Sequence, residues 1–164
     1  MIIQPATELD ILKLRELYDI AKRTMNRIGN QNQWMPGEPF CTELLEYIKK
    51  KELFLVLENN ELVGAFVFFL GGEPSYEIIK AGSWPNNLPY GTIHRIASNG
   101  KVGGVLENVF IWAEKQIPNL RIDTHRDNAI MNYLLQKYGF IRCGIIHLAN
   151  GEERIAYAKT PKDD

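Results

Sequence analysis

Cysteine is scarce in this chain: Cys41 and Cys143 are the only two in 164 residues, and neither belongs to a Cys-x-x-Cys pair. That excludes a disulfide framework and the ligand spacing of a common metal centre, so free thiols and no metal are expected. Long apolar runs are missing too. The longest, residues 65–70, falls far short of the roughly 20 residues that span a bilayer, so no membrane partner is expected. The first residues, Met1-Ile2-Ile3-Gln4-Pro5, carry no basic region followed by an apolar core, so no secretory leader is expected and the chain reads as cytoplasmic. Charge of one sign is also lacking. Nineteen Lys and Arg face twenty Asp and Glu, a formal charge of −1, which removes any general attraction to nucleic acid or anionic lipid. An anion site here must be local.

What is present is an ordinary globular composition, 45% hydrophobic and 24% charged. A chain of this length can bury roughly 70% of its unfolded surface in one core, and neither a repeat nor a linker divides it. One domain over residues 1–164 is expected. Residues 1–6 read as a strand. A helix follows, with apolar residues at 11, 14, 17, 18, 21 and 25, then a shorter one from Leu44 to the basic run at 49–51. Two strands, 54–58 and 62–70, flank the turn pair Asn59-Asn60. The second is apolar on both faces, which suits the middle of a covered sheet. Strands at 92–97 and 120–124, helices at 102–116 and 128–138, and a closing hairpin 141–148 and 154–159 through Asn150-Gly151 complete the pattern. The reading is an α/β domain with a mixed sheet of about seven strands and helices on both faces. Residues 160–164 read as a frayed end.

The most informative stretch is Ile93-His94-Arg95-Ile96-Ala97-Ser98-Asn99-Gly100-Lys101-Val102-Gly103-Gly104-Val105. A strand ends in a loop of glycine and small polar residues that runs directly into a helix. The first turn of a helix offers backbone N–H groups without internal partners and the positive end of the dipole, so an anion can bind there with little side-chain help. The nucleotide patterns do not fit. Lys101 precedes Val102 rather than Ser or Thr, against a Walker loop, and the glycine spacing is wrong for G-x-G-x-x-G.

The segment Lys101-Val102-Gly103-Gly104-Val105-Leu106 resembles the pyrophosphate loop of the GNAT superfamily of acyl-CoA N-acyltransferases, which reads Gln/Arg-x-x-Gly-x-Gly/Ala. Gly104 matches the central glycine, while Leu106 departs from the final small residue. A second stretch, Asp127-Asn128-Ala129 through Lys137-Tyr138-Gly139-Phe140, is similar to the family's later signature, an Asn that opens a helix ending in Lys-x-Gly-Phe. The two lie in family order across residues 91–159.

The resemblance implies a GNAT-like, mostly antiparallel sheet and acetyl-CoA as co-substrate. It also implies transfer of the acetyl group to a primary amine of a small molecule or peptide, by direct attack in a ternary complex. Ile96 and Ser98 would present backbone groups to the acyl and pantetheine parts, residues 101–106 would hold the pyrophosphate, and Asn128 would touch the pantetheine arm or cap the helix beside it. Two irregular regions, 30–39 and 71–90, would form the walls of the acceptor site through Trp34, Tyr76 and Trp84. His94 is the first candidate for general base, since its ordinary pKa suits proton uptake at neutral pH, with Glu77 the runner-up. The family commonly places a Tyr within the last helix as acid for the leaving thiolate, and that position here is Leu135. A non-catalytic acyl-CoA sensor on the same fold is the alternative, and a homodimer is compatible with either.

Overall fold

A computed structural model describes residues 1–162; Asp163 and Asp164, the tip of the segment read as frayed, lie outside the described residues. Seven strands, β1 (Ile2–Pro5), β2 (Leu53–Glu58), β3 (Glu61–Leu70), β4 (Gly91–Ser98), β5 (Leu120–Thr124), β6 (Ile141–His147) and β7 (Glu153–Lys159), form one sheet in the order β1-β2-β3-β4-β5-β7-β6. Every pairing is antiparallel except β4 with β5.

Helices α1 (Ile11–Arg27) and α2 (Cys41–Lys49) cover one face, and α3 (Val105–Gln116) and α4 (Ala129–Lys137) cover the other. The period-two alternation of β3 explains how both are served. Ala65 and Val67 pack beneath α1 with Leu14, Leu17 and Tyr18, while Phe66 and Phe68 join Val105, Val109 and Phe110 of α3. The all-apolar strand therefore lies in the interior of the sheet, with both faces covered. No helix among the described residues is long and apolar enough to cross a membrane.

Two features of this frame position the site. First, β4 and β5 are joined only at Gly91↔Leu120 and Thr92↔Arg121. Beyond Thr92 the parallel pair diverges, so on the β5 side residues 93–98 of β4 face an opening instead of a neighbouring strand. Second, the register of β4 against β3 slips between Ala65↔Ala97 and Val67↔His94, leaving Arg95 and Ile96 in a bulge with Arg95 at φ 50. Bulges of this kind re-aim backbone groups at the edge of a site. The bulge is locked from below: the buried Tyr18 hydroxyl donates to the Arg95 carbonyl at 2.6 Å. In a trans peptide the C=O and the following N–H point opposite ways, so the Ile96 N–H leads away from Tyr18.

The third helix begins later than its sequence period suggests, at Val105 rather than Val102. Gly104 takes the left-handed conformation at φ 81, which ends the loop and starts the helix in one residue. Val102 then turns its side chain against the core and belongs to the loop. On the sheet beneath, a Cβ on Gly64 would lie 2.6 Å from Val105 Cγ1 and 2.9 Å from the Ala97 carbonyl. The missing side chain there lets the start of α3 settle directly on β3.

Candidate active site

The divergence of β4 and β5 opens a cavity of about 230 Å³. Its lining crosses from His94, Arg95 and Ile96 on β4 to Ile122, Asp123 and Thr124 on β5 and Asn128 at the head of α4, with Gln33, Trp34, Glu38, Glu43 and Tyr47 closing one side and Glu73 another.

His94 stands between two carboxylates. Its Nε2 lies 2.7 Å from Glu73 Oε2, and its Nδ1 is 3.8 Å from Asp123 Oδ2. Burial works to raise the Glu73 pKa, but the hydrogen bond and charge of His94, with the Ser75 N–H, overcome it and bring the carboxyl down to about 2. Glu73 is therefore ionised at neutral pH and can only accept, so the proton in the short contact belongs to His94 Nε2. A neutral His94 then carries its lone pair on Nδ1. Asp123 Oδ2 accepts a hydrogen bond from the Tyr76 hydroxyl at 2.6 Å. Burial, together with the Asp123 charge and that bond, raises the Tyr76 pKa well above its ordinary value, so the phenol stays protonated and keeps Asp123 in place.

The opposite side is acidic and aromatic. Arg95 reaches across from the bulge to Glu38 Oε2 at 3.3 Å and Glu43 Oε1 at 3.0 Å, with its guanidinium 5.5 Å from the centre of the Trp34 ring. Glu43 Oε2 is buried and has no hydrogen-bond partner in the protein. At the α4 end, Gln33 Oε1 accepts from Asn30 Nδ2 at 2.9 Å, Asn128 Nδ2 at 3.0 Å and Thr124 Oγ1 at 3.4 Å. Asn128 is doubly committed, because its Oδ1 also caps α4 by accepting from the Met131 N–H at 3.1 Å.

The glycine loop follows directly from β4. The Gly100 N–H donates to Ser98 Oγ at 3.1 Å and the Lys101 N–H to Asn99 Oδ1 at 3.0 Å, two side-chain bonds that fold the turn. A Cβ on Gly100 or Gly103 would meet nothing within 4 Å, and one on Gly104 only Asn108 Nδ2 at 3.6 Å. The backbone at the head of α3 is thus open to close approach. Leu106, at the loop motif's departure from a small residue, packs against the core and leaves the open side to main chain.

Several residues singled out from the sequence stand elsewhere than expected. Glu77 is exposed and does not line the cavity, being at the end of the short 3-10 turn Pro74–Tyr76; the carboxylate at His94 is Glu73, which caps the beginning of that turn. Tyr76 and Trp84 stand behind the wall. Tyr76 is buried and touches the site through Asp123, while Trp84 donates from Nε1 to the Tyr76 carbonyl at 2.8 Å and lies over the Arg121 guanidinium at 4.2 Å. Trp34 does line the cavity. Leu135 is fully buried in the core, and Tyr138 packs beside Phe110. His125 Nδ1 accepts from the Asp127 N–H at 3.0 Å, and burial, helped by the charge of Arg154, lowers its pKa.

Sequence reasoning missed Glu73, Gln33, Glu43 and Arg95. Glu73 had one visible signal: Glu-Pro-Ser at 73–75 is a carboxylate followed by Pro at the first position of a turn, an arrangement that caps.

No protein-family model matches this chain, and no curated protein does. Solved structures do. A GNAT-family acetyltransferase from Streptococcus agalactiae 2603 superposes with a TM-score of 0.86 at 29% identity, covering 99% of this chain and 96% of its own. A putative acetyltransferase from Staphylococcus aureus Mu50 gives a TM-score of 0.73 at 20% identity over 99% of this chain and 100% of its own. AAC(6′)-Ib, solved in complex with paromomycin and acetyl-CoA, gives 0.63 at 17% identity over 96% and 92%. The chain has the GNAT fold and is similar, from end to end, to acetyltransferases of that family.

Proposed function

We propose that the protein transfers an acetyl group from acetyl-CoA to a primary amine seated in the cavity, by direct attack in a ternary complex. The observation that carries this reading is the placement of His94, fixed by Glu73, inside the gap that opens where β4 leaves β5. The residues fit the co-substrate by an independent feature, the uncovered glycine backbone at the head of α3. Its pyrophosphate would be held by main-chain N–H groups of residues 101–106 with the dipole of α3 behind them, and Ser98 would border the pantetheine part. The structural neighbour that holds acetyl-CoA supports the same choice.

Acetyl-CoA supplies an activated acetyl thioester. His94 Nδ1 accepts the proton of the incoming ammonium, and the resulting imidazolium is stabilised by Glu73 on one nitrogen and Asp123 near the other. The amine nitrogen donates its pair to form the C–N bond as the C–S bond breaks, the sulfur departs with that bond's electrons, and the second proton of the nitrogen passes to the departing thiolate or to solvent as the amide forms. The Ile96 N–H, directed away from Tyr18 by the locked bulge, is the donor for the developing oxyanion, a contact worth about 3–4 kcal/mol in other enzymes. A thiol has an ordinary pKa near 8.5, so the thiolate can leave without an acid. That is compatible with Leu135, whose burial in the core leaves α4 without one at that position.

The test is release of free coenzyme A thiol on mixing with acetyl-CoA and a panel of amines, alongside calorimetric titration with acetyl-CoA. Amine-dependent release supports the transferase. Tight binding with no release across the panel would favour the second reading, a non-catalytic acyl-CoA sensor, which Leu135 favours.

A further inference from the structure

The cavity has a charge and shape of its own, separate from the glycine loop. Four carboxylates line it, Glu38, Glu43, Glu73 and Asp123, against one guanidinium, that of Arg95, which Glu38 and Glu43 share. Arg154 also reaches the lining, but its charge is met by Glu152 at 3.2 Å and its Nη2 is bound to the Gln33 carbonyl at 2.8 Å. The negative charge falls into two groups. Glu73 and Asp123 flank His94 on one side, and Glu38 and Glu43 share Arg95 on the other, which leaves each end with an excess of negative charge. Tyr47 also lines the cavity, and burial first, then the charges of Glu43 and Glu73, raise its pKa. Trp34 adds an apolar wall.

Glu43 Oε2 is the feature this protein leaves unexplained. Its partner oxygen binds Arg95, yet Oε2 is removed from solvent without a donor, and a buried carboxylate oxygen in that condition is costly. The volume, about 230 Å³, is below the roughly 300 Å³ at which sites for drug-sized molecules begin.

Resting on the transferase reading above, we propose that the acceptor is a short linear diamine or polyamine. One ammonium binds the Glu43 carboxylate, whose side chain is 32% exposed and turns to offer Oε2, the methylenes lie along Trp34 and Tyr47, and the other amine reaches His94, where it gives up a first proton, loses a second as the amide forms, and is acetylated. Glu43 is thus the residue that selects for a second positive charge.

The experiment compares 1,4-diaminobutane with 1-aminobutane, equal in length but one charge apart, by coenzyme A release and by calorimetric binding. In the wild type, kcat/KM for the diamine should exceed that for the monoamine by about thirtyfold, the scale of one hydrogen bond to a charged group. In Glu43→Gln the ratio should fall to within about threefold. Glu38→Gln removes Arg95's other carboxylate and should keep the preference; equal loss in that variant would assign it to Arg95 and overturn the role of Glu43. Equal use of both amines, or acetylation of a peptide amine but not of the diamine, would overturn the proposed class while leaving acetyl transfer standing. Glu43-dependent binding of the diamine with no coenzyme A release from any amine would do the reverse, supporting the ligand class and removing the transferase reading.

Discussion

The His94 imidazole and the Glu73 carboxylate meet at 2.7 Å although 21 residues separate them in the chain. This contact decides which imidazole nitrogen is free. It also gives Glu73 a measurable part in stability, because its carboxyl is brought from an ordinary 4.5 to about 2. A lowered carboxylate pKa means that the folded protein prefers the ionised form. The stabilisation is complete above the unfolded value, and it is lost as pH falls from there through the folded value.

Thermal melts should therefore separate the wild type from Glu73→Gln. The wild type is expected to lose stability between about pH 4.5 and pH 2 more steeply than the variant, which has no carboxyl to protonate at this position. Glu73→Gln should also lower turnover by roughly 10-fold to 100-fold, since the carboxylate that fixes the proton on His94 Nε2 is gone. Parallel acid profiles for the two proteins would remove the ion pair from the account.

The glycine loop can be tested with a matched pair of substitutions at Gly104. Asn and Asp both tolerate the left-handed backbone better than other residues, so either variant should fold around the φ of 81. They differ in one charge. Calorimetry should show acetyl-CoA affinity reduced at least tenfold more by Gly104→Asp than by Gly104→Asn, because the carboxylate would stand where the pyrophosphate is to be held. Equal affinities would place the anion elsewhere.

Tyr18 supplies a third test, at the back of the bulge. Tyr18→Phe keeps the ring but removes the donor to the Arg95 carbonyl. The expected cost is about 1–3 kcal/mol in denaturant unfolding, since a buried acceptor loses its partner. With the peptide freed to rotate, kcat should fall several-fold while acetyl-CoA affinity holds. Loss of stability without loss of kcat would mean that the bulge is structural and the Ile96 N–H is not the oxyanion donor.

How much of this could be read in advance follows the physics of each element. The strands of the sheet are legible because burial on one or both faces writes a period-two or continuous apolar pattern into the residues themselves, and the hairpin turns Asn59-Asn60 and Asn150-Gly151 because few residue types take the turn's backbone. The apolar period places the start of α3 three residues early, since Val102 continues the helical period while a single left-handed Gly104 sets the boundary. His94 could be singled out because its strand was visible. Glu73 could not be paired with it: residues 71–90 have no period, and the contact exists only because Lys80 bridges to Ile145 and the buried Tyr76 reaches Asp123, fastening the segment over the sheet. Gln33 is hidden for the same reason, while Glu43 is hidden because a helical period says nothing of what a polar side chain on it will meet. Gln33 takes its place from the way the chain between α1 and α2 folds back over the divergence of β4 and β5, and Glu43, in the first turn of α2, from the packing of that helix beside it.

The central claim, that His94 takes the proton of an amine attacking acetyl-CoA, is tested most directly by the rate of coenzyme A release in the wild type and in His94→Gln at saturating acetyl-CoA and amine. Gln keeps polarity and much of the volume, so the cavity is not emptied. The account predicts amine-dependent release in the wild type, a loss of roughly 100-fold or more in kcat in the variant, and unchanged acetyl-CoA affinity by calorimetry. Turnover in His94→Gln equal to that of the wild type, with the same acidic limb in the pH–rate profile, would contradict it.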